Sequence, residues 1–310
     1  MSAPVPILIA GPTASGKSAL ALQLAKDLNG LIINADALQV YGLWRVLTAR
    51  PSAEDEALAP HRLYGHVSPE NPYSVGAWLR DLSGILREAE TARLHPIIIG
   101  GTGLYFSALT QGLAEIPEIP IDVRTEGNEL RKEGATAFAS LEHDDPETWQ
   151  RIDRNNPARL QRAWEVFRAT GRPLSEWQAD TDPPLIRLSD AISICLEVDR
   201  DWLGSRIDQR FDKMLNEGAV EECQNWIERG LSMDLPSAKA LGAPEIIAHL
   251  KGEMSLDEAR DNATIATRQF AKRQRTWFRS KMADWTKLDI AELGASSCAE
   301  FISKMVTSRT

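Results

Sequence analysis

Val5-Pro6-Ile7-Leu8-Ile9-Ala10-Gly11-Pro12-Thr13-Ala14-Ser15-Gly16-Lys17-Ser18 is the stretch that decides the fold. Its first six residues are apolar without alternation, as in a short strand buried on both faces. The next eight match G-x-x-x-x-G-K-[ST] in full. Ala19, Leu20, Leu22, Leu24, Ala25 and Leu28 continue as good helix formers, with Gly30 placed to cap the helix. Strand, glycine turn and helix in that order make the motif a phosphate cradle. Gly11 and Gly16 let the backbone curl until several N–H groups point at one anion, and the helix start adds its positive dipole end. Pro12, Thr13, Ala14 and Ser15 complete the loop, Lys17 brings a point charge for an outer phosphate, and Ser18 can hold magnesium. The motif specifies a polyphosphate without choosing among ATP, GTP and other diphosphate esters. An apolar strand ending in an aspartate, the usual ATPase companion, is not evident.

Working outward, Leu31-Ile32-Ile33-Asn34-Ala35 reads as a second buried strand with Asp36 at its carboxyl end. Pro96-Ile97-Ile98-Ile99 reads as a third and runs into Gly100-Gly101-Thr102-Gly103-Leu104-Tyr105. In open parallel sheets ligands bind outside the carboxyl ends of the strands, so the cradle, Asp36 and the second glycine turn should share one crevice. A carboxylate there could coordinate magnesium, act as a general base or merely cap the next segment. Ser74 can open a helix bearing Val75, Trp78, Leu79, Leu82, Ile85 and Leu86 on one core-facing stripe. The alternation predicts an α/β fold, a mainly parallel sheet flanked by helices.

Composition sets limits. The chain has 310 residues, 43% of them hydrophobic, and a net charge of −9, which disfavours non-specific nucleic-acid binding unless basic residues cluster. It contains no run of eighteen apolar residues and no signal-peptide pattern, which points to a cytoplasmic protein free of the membrane. Cys195, Cys223 and Cys298 lie far apart, and His61, His66, His95, His143 and His249 show no ligand spacing. Neither a disulfide framework nor a metal site is expected, apart from magnesium brought by a phosphate ligand.

Basic residues do cluster. Ser255-Leu256-Asp257-Glu258 reads as a capping box opening a long helix. On it Arg268, Lys272, Arg275 and Arg279 fall on one face and Ala263, Ala266, Phe270 and Trp277 on the other. The stripe has no acidic partner at four-residue spacing, which favours a phosphate-backbone contact over a solvated face. Between residues 113 and 188, bracketed by Pro117, Pro120 and Asp182-Pro183-Pro184, the chain turns polar and helical. Within it Asn156-Pro157 opens a helix carrying Leu160, Ala163, Trp164 and Phe167 that ends near Gly171 and Pro173, and Ile192 to Leu196 returns to the sheet.

The ordered set of motifs resembles the tRNA dimethylallyltransferases, also called tRNA isopentenyltransferases, of bacterial type. Gly11 to Ser18 has the family's form. Asp36-Ala37-Leu38-Gln39-Val40-Tyr41 is similar to its D-S-x-Q-V-Y, Thr48-Ala49-Arg50-Pro51 to T-A-K-P, and Gly100 to Tyr105 matches G-G-T-G-L-Y unchanged. Asn156 to Glu165 resembles N-x-x-R-x-x-R-A-x-E, and Arg206 to Met214 and Ala271 to Arg279 are equally similar. The departures are Ala37 for serine, Gly42 for arginine, Leu47 for glycine and Arg50 for lysine.

The resemblance implies that the cradle holds dimethylallyl diphosphate rather than ATP, with diphosphate as leaving group. Thr13, Lys17 and Arg210, with Arg206 beside them, would stabilise the departing oxygen, helped by magnesium near Ser18 and Asp36. Asp36 would take the proton from N6 of an adenosine flipped out of the anticodon loop. Ala37, Leu38, Gln39 and Thr102 would meet that nucleotide. Residues 1–112 and 189–310 would form the catalytic core and 113–188 a helical insertion domain gripping the anticodon stem–loop. Arg124, Arg159, Gln161 and Arg162 from the insert, with Lys239, Arg268, Lys272, Arg273, Gln274, Arg275 and Arg279, would contact tRNA. A monomer is expected. Three rivals stay open at this level: a P-loop small-molecule kinase, an enzyme prenylating free adenine nucleotides, and a non-catalytic RNA-binding protein.

Overall fold

The computed structural model describes residues 4–309. Six strands form one sheet: β1 (Ile7–Ala10), β2 (Gly30–Asn34), β3 (His61–Arg62), β4 (His95–Gly100), β5 (Ile192–Glu197) and β6 (Thr286–Asp289). Their order is β3-β2-β4-β1-β5-β6, and every neighbouring pair is parallel. The register sets Ala10 beside Gly100 on one side and beside Cys195 on the other. The carboxyl ends of β1, β4 and β5 therefore lie side by side.

The unalternating apolar run of β1 is explained by burial on both faces. Ile7 and Ile9 face Leu20 and Leu24 of the helix Lys17–Leu28 and Ile302 of the helix Ile290–Thr307. Leu8 and Ala10 face Trp78 and Leu82 of the helix Val75–Ala92 and Phe106 of the helix Gly103–Gln111. All of these side chains are inaccessible to solvent, and burying each large one contributes roughly 1.5–3 kcal/mol. A third cluster, in which Trp44 stacks on Trp226 with ring centroids 5.0 Å apart, packs the loop after β2 against the helix Ala219–Glu228.

Two expectations change. Asn29, at φ 54°, rather than Gly30, ends the first helix; its N–H donates to Ala25 O, and Gly30 already belongs to β2. The chain divides at 110/111 and 184/185, so the helical unit is 111–184 rather than 113–188. Residues 185–188 go with the core because Ile186 is buried there and its N–H donates to Leu109 O at 3.1 Å.

The unit 111–184 has its own small core of Phe138, Leu141, Leu160 and Ala163 between the helices Ile121–Glu133 and Pro157–Thr170. Asn156 caps the second helix, its side chain accepting from Arg159 N, and Gly171 ends it at φ 68°. The long basic helix runs Leu256–Lys281 from a full capping box between Ser255 and Glu258.

Candidate active site

The cradle follows β1 directly. Ala14 (φ 61°) and Gly16 (φ 93°) both take left-handed backbone, which aims successive N–H groups into one concavity. Ala14 pays a side-chain strain that glycine would not. Lys17 folds back over the loop, its Nζ donating to Gly11 O at 2.8 Å and Pro12 O at 2.7 Å. Burial lowers Lys17 to about 8; Asp36 pulls it up and Arg210 pushes it down. Ser15 Oγ is buried with no protein partner among the described residues, a donor left for whatever the loop encloses. Ser18 is exposed on the first turn of the helix.

The helix Arg200–Asn216 adds cations. Arg210 Nη1 donates to Thr13 Oγ1 at 3.2 Å, and Arg206 Nε donates to Ala14 O at 3.0 Å while its guanidinium lies 4.7 Å over the Trp202 ring. Burial brings Arg210 down to about 10, against the raising effect of Asp36 and with the lowering effect of Arg206. Leu47, Ile207, Phe211, Met214 and Leu241 form an apolar wall beside Thr13 and Arg210.

Asp36 stands at the end of β2, held from behind by Asn34. The fully buried Asn34 accepts from Asp36 N–H through Oδ1 (2.8 Å) and donates through Nδ2 to Asp36 O (2.9 Å) and Leu63 O (3.0 Å). Asp36 Oδ1 accepts Leu38 N–H at 3.0 Å. Of the roles the sequence left open it fills the capping one with Oδ1, while Oδ2 lies beside the turn at Gly101. Tyr64 and Tyr105 feel its charge: burial raises both phenols and Asp36 raises them further. Thr102 Oγ1 accepts Ala37 N–H at 2.9 Å, tying the second glycine turn to the segment after β2.

Gln274, from the basic helix, closes the ring. Its Oε1 accepts Thr13 N–H and its Nε2 donates to Gly101 O, each at 2.9 Å. A Cβ at Gly101 would run into the Gln274 amide and push it off these partners. Cradle, carboxylate and glycine turn thus meet as the topology required. The sequence had not marked Asn34, Tyr64 or the inward role of Gln274.

The structure corrects several expected RNA contacts. Gln274 is 6% exposed with both ends of its amide engaged, so it faces inward. Gln161 is equally buried, donating to Asn128 and Glu165. Both hydrogens of the Gln39 amide go to Thr48 O and Ala49 O, which leaves only Oε1 for a base edge. Arg268 has an acidic partner after all, one the helical spacing could not show: its Nη2 meets Asp208 of the neighbouring helix, with Oδ2 at 2.6 Å. Arg275 and Arg279 line a cavity of 320 Å³ with Glu197, Asp199 and Asp289. Phe270 is only half-buried, with Arg273 over its ring at 5.7 Å.

Lys272, Arg273 and Arg279 are exposed on the basic helix, Lys239 is exposed in the turn Pro236–Lys239, and Ala37, Leu38 and Thr102 are half-exposed around the crevice. In the unit 111–184, Arg124, Arg159 and Arg162 are exposed. Arg151, Arg159 and Arg162 rim a groove with Ile152 and Leu174 at its floor. The departures cluster as well: Arg50 Nη1 donates to Tyr41 O and Gly42 O, both at 3.1 Å, and Leu47 is buried. Among the described residues no group of three or more His, Cys, Asp or Glu could hold a metal ion, and no helix is long and apolar enough to cross a membrane.

A model of the IPP transferase family matches residues 39–281. The chain belongs to this family. A relative named tRNA dimethylallyltransferase from Dinoroseobacter shibae is 57% identical over 287 residues, covering 92% of this chain and 95% of its own length. The solved structure of a full-length tRNA isopentenylpyrophosphate transferase from Bacillus halodurans superposes with a TM-score of 0.70 at 31% identity, covering 98% of this chain and 97% of that one. A eukaryotic dimethylallyltransferase described as acting on tRNA reaches 0.79 at 24% identity, over 92% of this chain and 74% of that one, a likeness of fold. In this IPP transferase the cradle at 11–18 lies ahead of the matched span.

Proposed function

We propose that this transferase moves a dimethylallyl group from dimethylallyl diphosphate to N6 of the adenosine immediately 3′ of the anticodon, in tRNAs reading codons that begin with U. The observation that carries the reading is one crevice holding both halves of the chemistry. Lys17 and Arg210 stand where a diphosphate would leave, and the Asp36 carboxylate is near enough to raise the proton affinity of both.

The bookkeeping closes. The allylic C–O bond breaks and both its electrons leave on diphosphate. N6 forms the new C–N bond, and its proton passes to Asp36. Backbone N–H groups of the cradle, Lys17 and Arg210 meet the charge that grows on the departing oxygen, worth several kcal/mol in a site that needs no reorganisation. Arg210 also pins the Thr13 hydroxyl. The apolar wall from Leu47 to Leu241 suits a five-carbon tail better than a ribose.

With no acidic cluster among the described residues to hold it, a divalent ion would be carried by the diphosphate oxygens with Ser18 as a protein donor, and that sparse donor set suits magnesium. Such an ion would neutralise part of the leaving group's charge. Exposed basic residues on the helix Leu256–Lys281 and, separately, on the unit 111–184 would take the phosphate backbone of the tRNA. We place the enzyme in the cytoplasm as a monomer.

The test offers labelled dimethylallyl diphosphate with magnesium and, separately, unmodified tRNA, AMP or ATP. Label is expected only in tRNA and lost in Asp36→Ala. Label in AMP would make the chain a prenylator of free nucleotides. ATP turnover without label would make it an ordinary P-loop kinase.

A further inference from the structure

Gln274 is a buried, uncharged side chain on a helix whose outer face is basic. Its two ends are spent on two different loops of the site: Thr13 N–H in the cradle and Gly101 O in the glycine turn, each at 2.9 Å. The amide orientation is fixed by chemistry, because only Oε1 can accept from an N–H and only Nε2 can donate to a carbonyl. Thr13 is also the residue whose hydroxyl takes Arg210. Gly101 precedes Thr102, whose hydroxyl holds Ala37 N–H beside Asp36. One side chain therefore braces the leaving-group side and the acceptor side of the crevice. Within a turn or so on either side along the helix, Lys272, Arg273 and Thr276 are exposed while Ala271 and Phe278 are buried. Both faces belong to one continuous helix, so a ligand that displaces the helix from its outer face would carry Gln274 with it.

We infer that Gln274 is a positioning residue through which RNA docking on the outer face of the helix Leu256–Lys281 tightens the diphosphate cradle. The inference rests on the transferase reading above and deepens it: donor and acceptor do not bind independently. RNA seats the helix, Gln274 draws Thr13 and Gly101 into register, and the cradle grips its anion. By linkage the effect is reciprocal, and diphosphate tightens RNA by the same factor.

The experiment measures binding of inorganic pyrophosphate, with magnesium, to the full chain with and without a saturating unmodified anticodon stem–loop RNA, and of that RNA with and without pyrophosphate. About tenfold mutual tightening is expected for the wild-type chain. Gln274→Met, of similar length but unable to make either bond, should bind RNA alone as the wild type does yet lose the enhancement. Its kcat should fall more than its KM for tRNA rises. Gln274→Glu gives a second signature, because only a protonated carboxyl can both accept from Thr13 N–H and donate to Gly101 O. Its turnover relative to wild type should therefore rise as pH falls, which a side chain that merely filled space would not do.

Independent binding of pyrophosphate and RNA to the wild-type chain would overturn the inference even if neither variant folds, as would full enhancement in Gln274→Met. Mutual tightening without label transfer would instead sink the transferase reading and leave the coupling standing.

Discussion

The crevice of the core and the arginine-rimmed groove of the unit 111–184 both gather charge, and they do it in opposite ways. In the crevice the charged groups are tied down: Lys17 by two carbonyls, Arg210 by Thr13, Asp36 by Asn34 and by the turn it caps. Asp36 is close enough to raise the proton affinity of both Lys17 and Arg210. In the unit that carries the groove the buried polar groups face each other instead. Asp145 takes Ser175 and Thr148, and Gln161 takes Asn128 and Glu165, leaving Arg159 and Arg162 exposed on the outside. Bond breaking needs dipoles fixed before the charge appears, whereas holding a phosphate backbone needs charge at the right density and little else. Substitutions in the two places should therefore fail differently, by turnover in the first and by salt-dependent affinity in the second.

The largest effect should come from Asp36. Asp36→Asn keeps the shape and can still accept Leu38 N–H, but it cannot take a proton from N6. Single-turnover transfer should fall at least about a thousandfold, roughly 4 kcal/mol of barrier. RNA affinity in a filter-binding assay should stay near that of the wild type. Unchanged turnover would remove Asp36 from the chemistry and undo the contrast at its strongest point.

Lys17 comes next and carries a pH signature. Its conjugate acid sits at about 8 because burial disfavours the charge. Below that value it holds a positive charge for the diphosphate; above it the charge is lost, where an exposed lysine would keep it past 10. KM for dimethylallyl diphosphate should therefore rise as pH increases through about 8, with KM for tRNA flatter over the same range. Lys17→Met should lower turnover about a hundredfold or more and abolish that dependence.

How much of this contrast was legible in the sequence follows from how local each feature is. The strand, cradle and helix from Val5 to Leu28 form one continuous pattern, and the order of strand ends then brought Asp36 and Gly100–Tyr105 to the same edge. Gln274 could be read as part of a basic motif, but its partners lie 261 and 173 residues away, and nothing in its neighbours marks it as inward-facing. Asp208 was missed as the partner of Arg268 for the same reason: it sits on another helix, 60 residues earlier. β3, of two residues, and β6, with only Leu288 buried, are strands because of what they pair with rather than what they contain. The limits of the helical unit were misplaced by two and four residues, the latter because Leu185 to Leu188 look like linker although Ile186 is buried in the core and Leu188 packs against it.

A smaller effect, on stability rather than turnover, should come from Asp145. Burial works against its charge, but hydrogen bonds from Ser175 and Thr148 outweigh that and hold the carboxyl below its usual range. Asp145→Ala removes the acceptor shared by Thr148 N, Ser175 N and Ser175 Oγ, and should destabilise the unit 111–184 by about 2–3 kcal/mol. Hydrogen exchange should show the loss confined to that unit, with the core's protection intact. Equal loss in the core would mean that the two fold as one.

The smallest effect should be the most diagnostic of the groove. Arg159 is exposed and its side chain makes no ion pair among the described residues, so replacing it with glutamine costs the fold little. If it neutralises one phosphate, log affinity for tRNA plotted against log salt should lose about 0.7 to 0.9 of its slope, with a uniform weakening across tRNA species. Arg162→Gln should do the same, and the double variant should lose about twice as much, since counterion release adds phosphate by phosphate. Turnover at saturating tRNA should hold in all three. A fall in kcat with an unchanged salt slope would assign these arginines to chemistry, and the difference between crevice and groove would have to be drawn elsewhere.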